Sequence, residues 1–184
     1  KRRRGGGDGQ ESPPPGGGGL EEERAMDAAK RDLMRMLSMR PASSARLLQK
    51  LADKGHSTEV AAAALARMQE LGLQDDEEYA EIYTRSKWRQ SKWGPARIKM
   101  ELKAQGLPRG AISKGLKSVF DSEDPSDSGI NGDFLALLLQ ESEKQVKLTV
   151  SMPKETRRRR IIGWLQRRGH GWDTIRWVVD ALEL

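Results

Sequence analysis

From Leu20 to the end of the chain, apolar residues recur three and four positions apart. That is the signature of helices with one buried face. Met26, Ala29, Leu33 and Leu37 form the first stripe, and Pro41 stops it. Ser43 or Ser44 can cap a second helix carrying Leu47, Leu48 and Leu51, with Gly55 at its C-terminal turn. Ser57 and Thr58 offer caps for a third, running to about Leu71. Asp75, followed three residues later by Glu78, has the pattern of a capping box for a fourth. Gly94 and Pro95 suit the start of a fifth, ending at Gly106. Pro108 opens a sixth, to about Phe120, and a seventh starts near Asn131 with the run FLALLLQ. Pro153 opens an eighth and Gly171 a ninth. The only strand candidate, Lys147–Val150, is short.

Three segments align without gaps on their glycines: LLQKLADKGHSTEVAAAAL, IKMELKAQGLPRGAISKGL and IIGWLQRRGHGWDTIRWVV. Eight residues before the glycine stand Leu47, Ile98 and Ile161, and four before stand Leu51, Leu102 and Leu165. Ten after stand Leu65, Leu116 and Val179, and thirteen after stand Met68, Val119 and Leu182. Each segment reads as a helix, a glycine turn and a second helix. A preceding helix can cover each pair, so the chain is expected to be all-α. The predicted architecture is three tandem three-helix repeats in an extended, curved array. The repeats span 20–73, 74–120 and 131–184. Residues 1–19, rich in Gly and Pro with no aliphatic side chain, read as a disordered basic tail, and 121–130 as an acidic linker.

Composition narrows the function. Lys and Arg outnumber Asp and Glu by 33 to 27, which favours polyanionic partners. There is no Cys and only His56 and His170, which read as turn residues in different repeats. Thiol chemistry and a cysteine zinc site are therefore excluded, and no cofactor or metal is expected. No apolar run approaches a membrane span. Capping explains Asp75, Asp76 and Glu78 without general acid–base chemistry, so no catalytic residue is assigned.

The segment Asp75–Leu107 resembles the central repeat of RecX regulatory proteins. It has paired acids (Asp75, Asp76), an aromatic–Ala pair (Tyr79, Ala80), Arg85, Gly94, a basic–aliphatic pair (Arg97, Ile98) and Leu102 four before Gly106. Leu33, Arg40, Ser44, Leu51 and Gly55 are similar to the family's opening repeat, and LQRRGHGWDTI to its closing one. The likeness covers about 28–184. Where the family usually has an aromatic after the repeat glycine, this chain has His56, Leu107 and His170. The resemblance implies a regulator, not an enzyme. RecX proteins bind the RecA recombinase, mostly as its filament on single-stranded DNA, and inhibit its ATP hydrolysis and strand exchange. It also implies a cytoplasmic, nucleoid-associated protein; the tail leaves a chloroplast or mitochondrial address open. A monomer is expected.

The residues themselves point to binding faces. At ~100° per residue, Tyr79, Ile82, Tyr83 and Ser86 share one sector of the fourth helix. Arg85, Trp88, Arg89 and Lys92 fall opposite, which predicts an exposed Trp88 among bases. Arg97, Lys99 and Lys103 follow on the fifth helix. The eighth carries Arg157, Arg158, Arg159 and Arg160, then Trp164, Arg167 and Arg168. A tryptophan between cations can stack on a base or anchor a protein contact. Such cations release counterions from phosphates or pair with acidic protein faces. Trp172 and Trp177 read as packing residues of the last repeat. A direct DNA-binding helical protein and a pure protein-interaction scaffold are the alternatives to filament binding.

Overall fold

A computed structural model describes residues 17–121 and 132–184. The described residues form helices only: α1 (Gly17–Met39), α2 (Ser44–Asp53), α3 (Thr58–Glu70), α4 (Asp76–Ser91), α5 (Pro95–Ala104), α6 (Arg109–Phe120), α7 (Gly132–Lys147), α8 (Lys154–Arg167) and α9 (Trp172–Ala181). The strand candidate at 147–150 is instead the end of α7 and a turn. The readings of 1–16 as a tail and 122–130 as a linker lie outside the described residues. Gly17–Gly19, assigned to the tail from composition, are the first turn of α1. The proline run ends at Pro15, so no breaker separates these glycines from Leu20.

Local chemistry sets the boundaries. Ser43 and Ser57 cap α2 and α3 by accepting from the N–H of Arg46 and Val60. Asp75 caps α4 through the N–H of Glu77. Gly94 precedes Pro95 at the start of α5, while Pro108 and Pro153 lead into α6 and α8.

The helices pack in triplets, each chiefly against the other two of its unit. The repeat register is the burial register. Leu47, Ile98 and Ile161 are buried, as are Leu51, Leu102 and Leu165, and Leu65, Leu116 and Val179. The first unit has a core of its own, built on Leu33, Leu47, Leu51, Leu65 and Met68. The second and third share one core, running from Ala80 and Ile98 to Ile161 and Val179. Its bridge is aromatic. Trp88 meets Phe120 edge-on at 5.6 Å and Phe134 at 4.9 Å, and the two Phe rings lie 5.4 Å apart.

One joint links the units and is used twice. The residue that caps the second helix of a unit donates to the carbonyl just before the repeat glycine of the next unit. Ser43 Oγ donates to Gln105 O at 3.0 Å, and Gly94 N donates to Arg168 O at 2.6 Å. The repeat glycine then lies flat against the start of the earlier unit's second helix. A Cβ on Gly106 would sit 2.6 Å from Ala45 Cβ, and one on Gly169 would sit 2.5 Å from Arg97 Cβ. The first joint is otherwise polar: Ser44 donates its N–H to Asp76 at 2.8 Å, and Gln74 donates to Asp76 at 2.8 Å.

Gly106 and Gly55 both occupy the left-handed region, at φ 78° and 89°, but a Cβ on Gly55 would meet nothing within 4 Å. Gly55→Ala and Gly106→Ala therefore share the backbone strain, and only the second adds a clash. Gly106→Ala should cost about 1–3 kcal/mol more, measured by urea unfolding with helicity retained. Equal destabilisation by the two would show that the joint contributes nothing to stability.

Candidate binding surface

The fourth helix departs from its expected orientation. Trp88 is 3% exposed and belongs to the core, so it is not available as a stacking or docking residue. The buried stripe of α4 is Ala80, Thr84 and Trp88, while Ile82 is 44% exposed. Small residues win that face because α4 and α6 lie very close. A Cβ on Gly115 of α6 would stand 2.6 Å from Ala80 Cβ. The Thr84 hydroxyl donates back to Ala80 O at 2.7 Å, which lets it be buried satisfied. Weighting the large side chains Tyr79, Ile82 and Tyr83 placed the stripe on the wrong side.

The second joint gathers bases that are far apart in sequence. Arg97 Nη1 donates to Arg167 O at 2.5 Å, and Arg168 Nε donates to Ser91 O at 2.9 Å. The Arg97 guanidinium lies 4.0 Å over the Trp93 ring, with Lys87 Nζ 4.9 Å from the same ring. Arg168 stacks 3.9 Å from the Trp164 ring. Cation–π contacts of this kind hold a guanidinium in place without neutralising it. Burial, then the neighbouring Arg167 and Arg97, lower the Arg168 pKa from its ordinary value. Arginine nevertheless stays charged at neutral pH.

The α8 arginines divide between two grooves. Between α7 and α8 a groove of about 660 Å³ is lined by Leu148, Met152, Ile161 and Trp164, with Arg159, Arg160 and Arg167 among them. Among the described residues, these three side chains have a single partner, Met152 Sδ, which stands 3.2 Å from Arg160 Nη1. Arg158 faces the other way, into a groove between α8 and α9 that also holds Trp172 and Arg176. Arg157 is partly buried, and its Nε is buried without a hydrogen-bond partner.

The remaining candidates do not join the cluster at the joint. Arg85 pairs with Glu81 on its own helix. Lys92 ends α4 in the left-handed region, and its Nζ donates to Arg89 O at 3.0 Å. Arg89 and Lys103 are exposed and Lys99 is half-buried. Trp172 and Trp177, expected to pack, are 62% and 42% exposed. The repeat register gives the reason. Three and eight residues after the repeat glycine, the other units carry Thr58 and Ala63, and Arg109 and Lys114, all exposed. Trp93 and Arg176 were not anticipated; Trp93 is recognisable only once Lys87 and Arg97 are seen to bracket it. Among the described residues no group of three His, Cys, Asp or Glu could hold a metal, and no helix is long and apolar enough to cross a membrane.

His170 sits inside the second joint. Its Nε2 donates to Lys92 O at 2.8 Å, and its ring stands 6.3 Å from Trp88. The Nδ1 is buried with no partner. Burial lowers the pKa to about 4, with the nearby Arg168 also disfavouring a charge. His56 occupies the matching position of the first unit but bonds Asp32 of α1 at 3.0 Å. Hydrogen bonds from Lys54 and His56 hold the Asp32 carboxyl below its ordinary pKa.

Comparison with known proteins places this architecture. The family model for the first three-helix domain of RecX matches residues 29–68, and that for the second matches 75–116. The chain is 32% identical over 150 residues to the regulatory protein RecX of Chlorobaculum tepidum, covering 81% of this chain and 84% of that protein. It is 31% identical over 160 residues to RecX of Halorhodospira halophila, covering 86% and 91%. The crystal structure of RecX from Lactobacillus salivarius superposes with a TM-score of 0.72 at 19% identity, over 90% of this chain and 98% of that one. A second crystal structure, of a regulatory protein RecX, gives 0.73 at 18% identity, over 88% and 76%. At those identities the structural likeness speaks for the fold.

His170 makes the second joint sensitive to acid. In the unfolded chain its pKa returns to about 6.5, so between about pH 6.5 and 4 the unfolded state binds a proton that the native state refuses. Stability is then full above the unfolded value and falls as pH drops through that window, by up to about 3 kcal/mol. Urea unfolding at pH 7, 6, 5 and 4.5 should show this slope in the parent protein. His170→Gln should be less stable at pH 7 and lack that part of the slope. Parallel curves would mean that His170 does not titrate with unfolding.

Proposed function

The chain belongs to the RecX family of regulatory proteins, and on that premise we propose that it binds a RecA-type recombinase filament on single-stranded DNA. Binding lowers the filament's ATP turnover and strand exchange. The protein performs no chemistry of its own. It acts by lying across neighbouring protomers and restricting the motion between them.

The observation that carries this reading is the joining of bases from successive units into one fixed surface. Arg97 of the second unit is tied to the main chain of Arg167 in the third, and Arg159, Arg160 and Arg167 line the neighbouring groove with no ion pair among the described residues. An extended polyanionic partner is met by such a surface, whether through DNA phosphate or through acidic side chains of the filament. Arg89 and Lys103 are exposed away from the joint, and Lys99 is half-buried. Trp88 has no part in the basic surface.

The test is single-stranded-DNA-dependent ATP hydrolysis by the cognate recombinase, titrated with the full chain. Inhibition well below one chain per DNA-binding site of the recombinase is expected. Inhibition only at amounts that coat the DNA would assign direct competition for DNA instead, and no inhibition would overturn the function. Reversing Arg159 and Arg160 to Glu, both exposed, should raise the half-inhibitory concentration at least about tenfold, a change of ~1.4 kcal/mol in binding. Helicity should be unchanged. If phosphate is what these groups face, the log–log salt dependence of binding should also flatten by about 0.7 for each phosphate left unneutralised.

A further inference from the structure

The groove between α8 and α9 lies outside the joint, and the proposed function does not use it. It encloses about 350 Å³, within the ~300–1,000 Å³ range of small-ligand sites. Its floor is apolar: Ile162, Ile175 and Val179. Trp172 stands in it 62% exposed. Arg158 and Arg176 line it with one acid, Asp180, and neither arginine has an ion pair among the described residues. An exposed indole gains nothing from water, and the same register position holds Thr58 and Arg109 in the other units. The third unit thus presents an exposed indole in a groove with two arginines that have no ion pair among the described residues, where its siblings present Thr58 and Arg109.

We propose that this groove is a stacking slot for one unpaired base of a single-stranded nucleic acid. The base lies on the Trp172 ring, and Arg158 and Arg176 take the flanking phosphates. An exposed aromatic side chain in a groove lined by cations is a combination that holds single strands without reading sequence. The net charge of the slot, two arginines against one aspartate, favours a polyanion. An acidic peptide would satisfy the arginines as well, and the preference for a strand with bases over an abasic one separates the two. This deepens the filament-binding reading by giving the chain its own hold on the strand, and it is tested without recombinase, so either can fail alone.

The experiment is fluorescence anisotropy with labelled dT12 and with a twelve-residue abasic oligonucleotide of the same charge, using the full chain. The dT12 strand should bind more tightly by about five- to 150-fold, the worth of one stacked base. Trp172→Ala should erase that preference and Trp172→Phe should restore part of it. Trp177→Ala serves as the control, because Trp177 is also exposed on α9 but does not line the groove; it should leave the preference intact. Arg176→Gln should flatten the salt dependence by about 0.7 while keeping the base preference. Equal affinity for dT12 and the abasic strand would overturn the slot, as would an unaffected Trp172→Ala variant of unchanged helicity. Equal loss of the base preference in Trp172→Ala and Trp177→Ala would overturn a slot confined to this groove. Competition by a glutamate decapeptide at matched charge would reduce the groove to an electrostatic sink.

Discussion

The molecule is organised by a hydrogen bond that ties the start of one unit's second helix to the end of the next unit's, donated by the Ser43 hydroxyl at the first joint and by the Gly94 N–H at the second. Each unit's second helix begins with donors that have no partner inside the helix, and the next unit's second helix ends with acceptors in the same condition. The joint sets one against the other, Ser43 to Gln105 and Gly94 to Arg168. With no side chain on the repeat glycine, the two backbones can meet. The turn of the first unit is closed by its own α1, where Asp32 takes both Lys54 and His56.

The two joints share this hydrogen bond and differ in what surrounds it. Around the first, Ser44, Gln74 and Asp76 make a polar network between two separate cores. Around the second, Trp88, Phe120, Phe134 and His170 form a continuous apolar bridge. Burial of aromatic surface is worth more per contact than a net hydrogen bond of about 1 kcal/mol. The second and third units therefore behave as one body. That body carries the arginines of the proposed binding surface, whose spacing follows from the shared core.

Much of the fold was legible in the sequence, and the illegible parts share a cause. The glycine-aligned register predicted which leucines and isoleucines are buried, because large apolar side chains at helical spacing have few other uses. Capping residues gave the helix starts. The α4 face was misread because close helix approach selects small residues: Ala80 and Thr84 are buried against Gly115, while the larger Ile82 stays outside. The joint itself left only its glycines in the sequence. Its acceptors are main-chain carbonyls that every residue possesses, and its donors differ, a serine hydroxyl at the first joint and a main-chain N–H at the second.

The tryptophans were misread in both directions, Trp88 placed outside by helical angle and Trp172 and Trp177 placed inside by residue type. Tryptophan by itself argues for burial, and on that ground Trp88 would be inside and Trp172 and Trp177 would be too. Register separates them. Trp88 lies one helical turn beyond Thr84 and two beyond Ala80, on the stripe that the close α4–α6 contact buries. Trp172 and Trp177 occupy positions that the sibling units leave to Thr58, Ala63, Arg109 and Lys114, all facing water. A repeat protein thus contains its own control: the same backbone position appears three times, and the exposure required by the fold can be read from the two copies that carry ordinary residues. What the third copy adds against that background is not required by folding, and an open indole beside unpaired arginines is an addition of that kind.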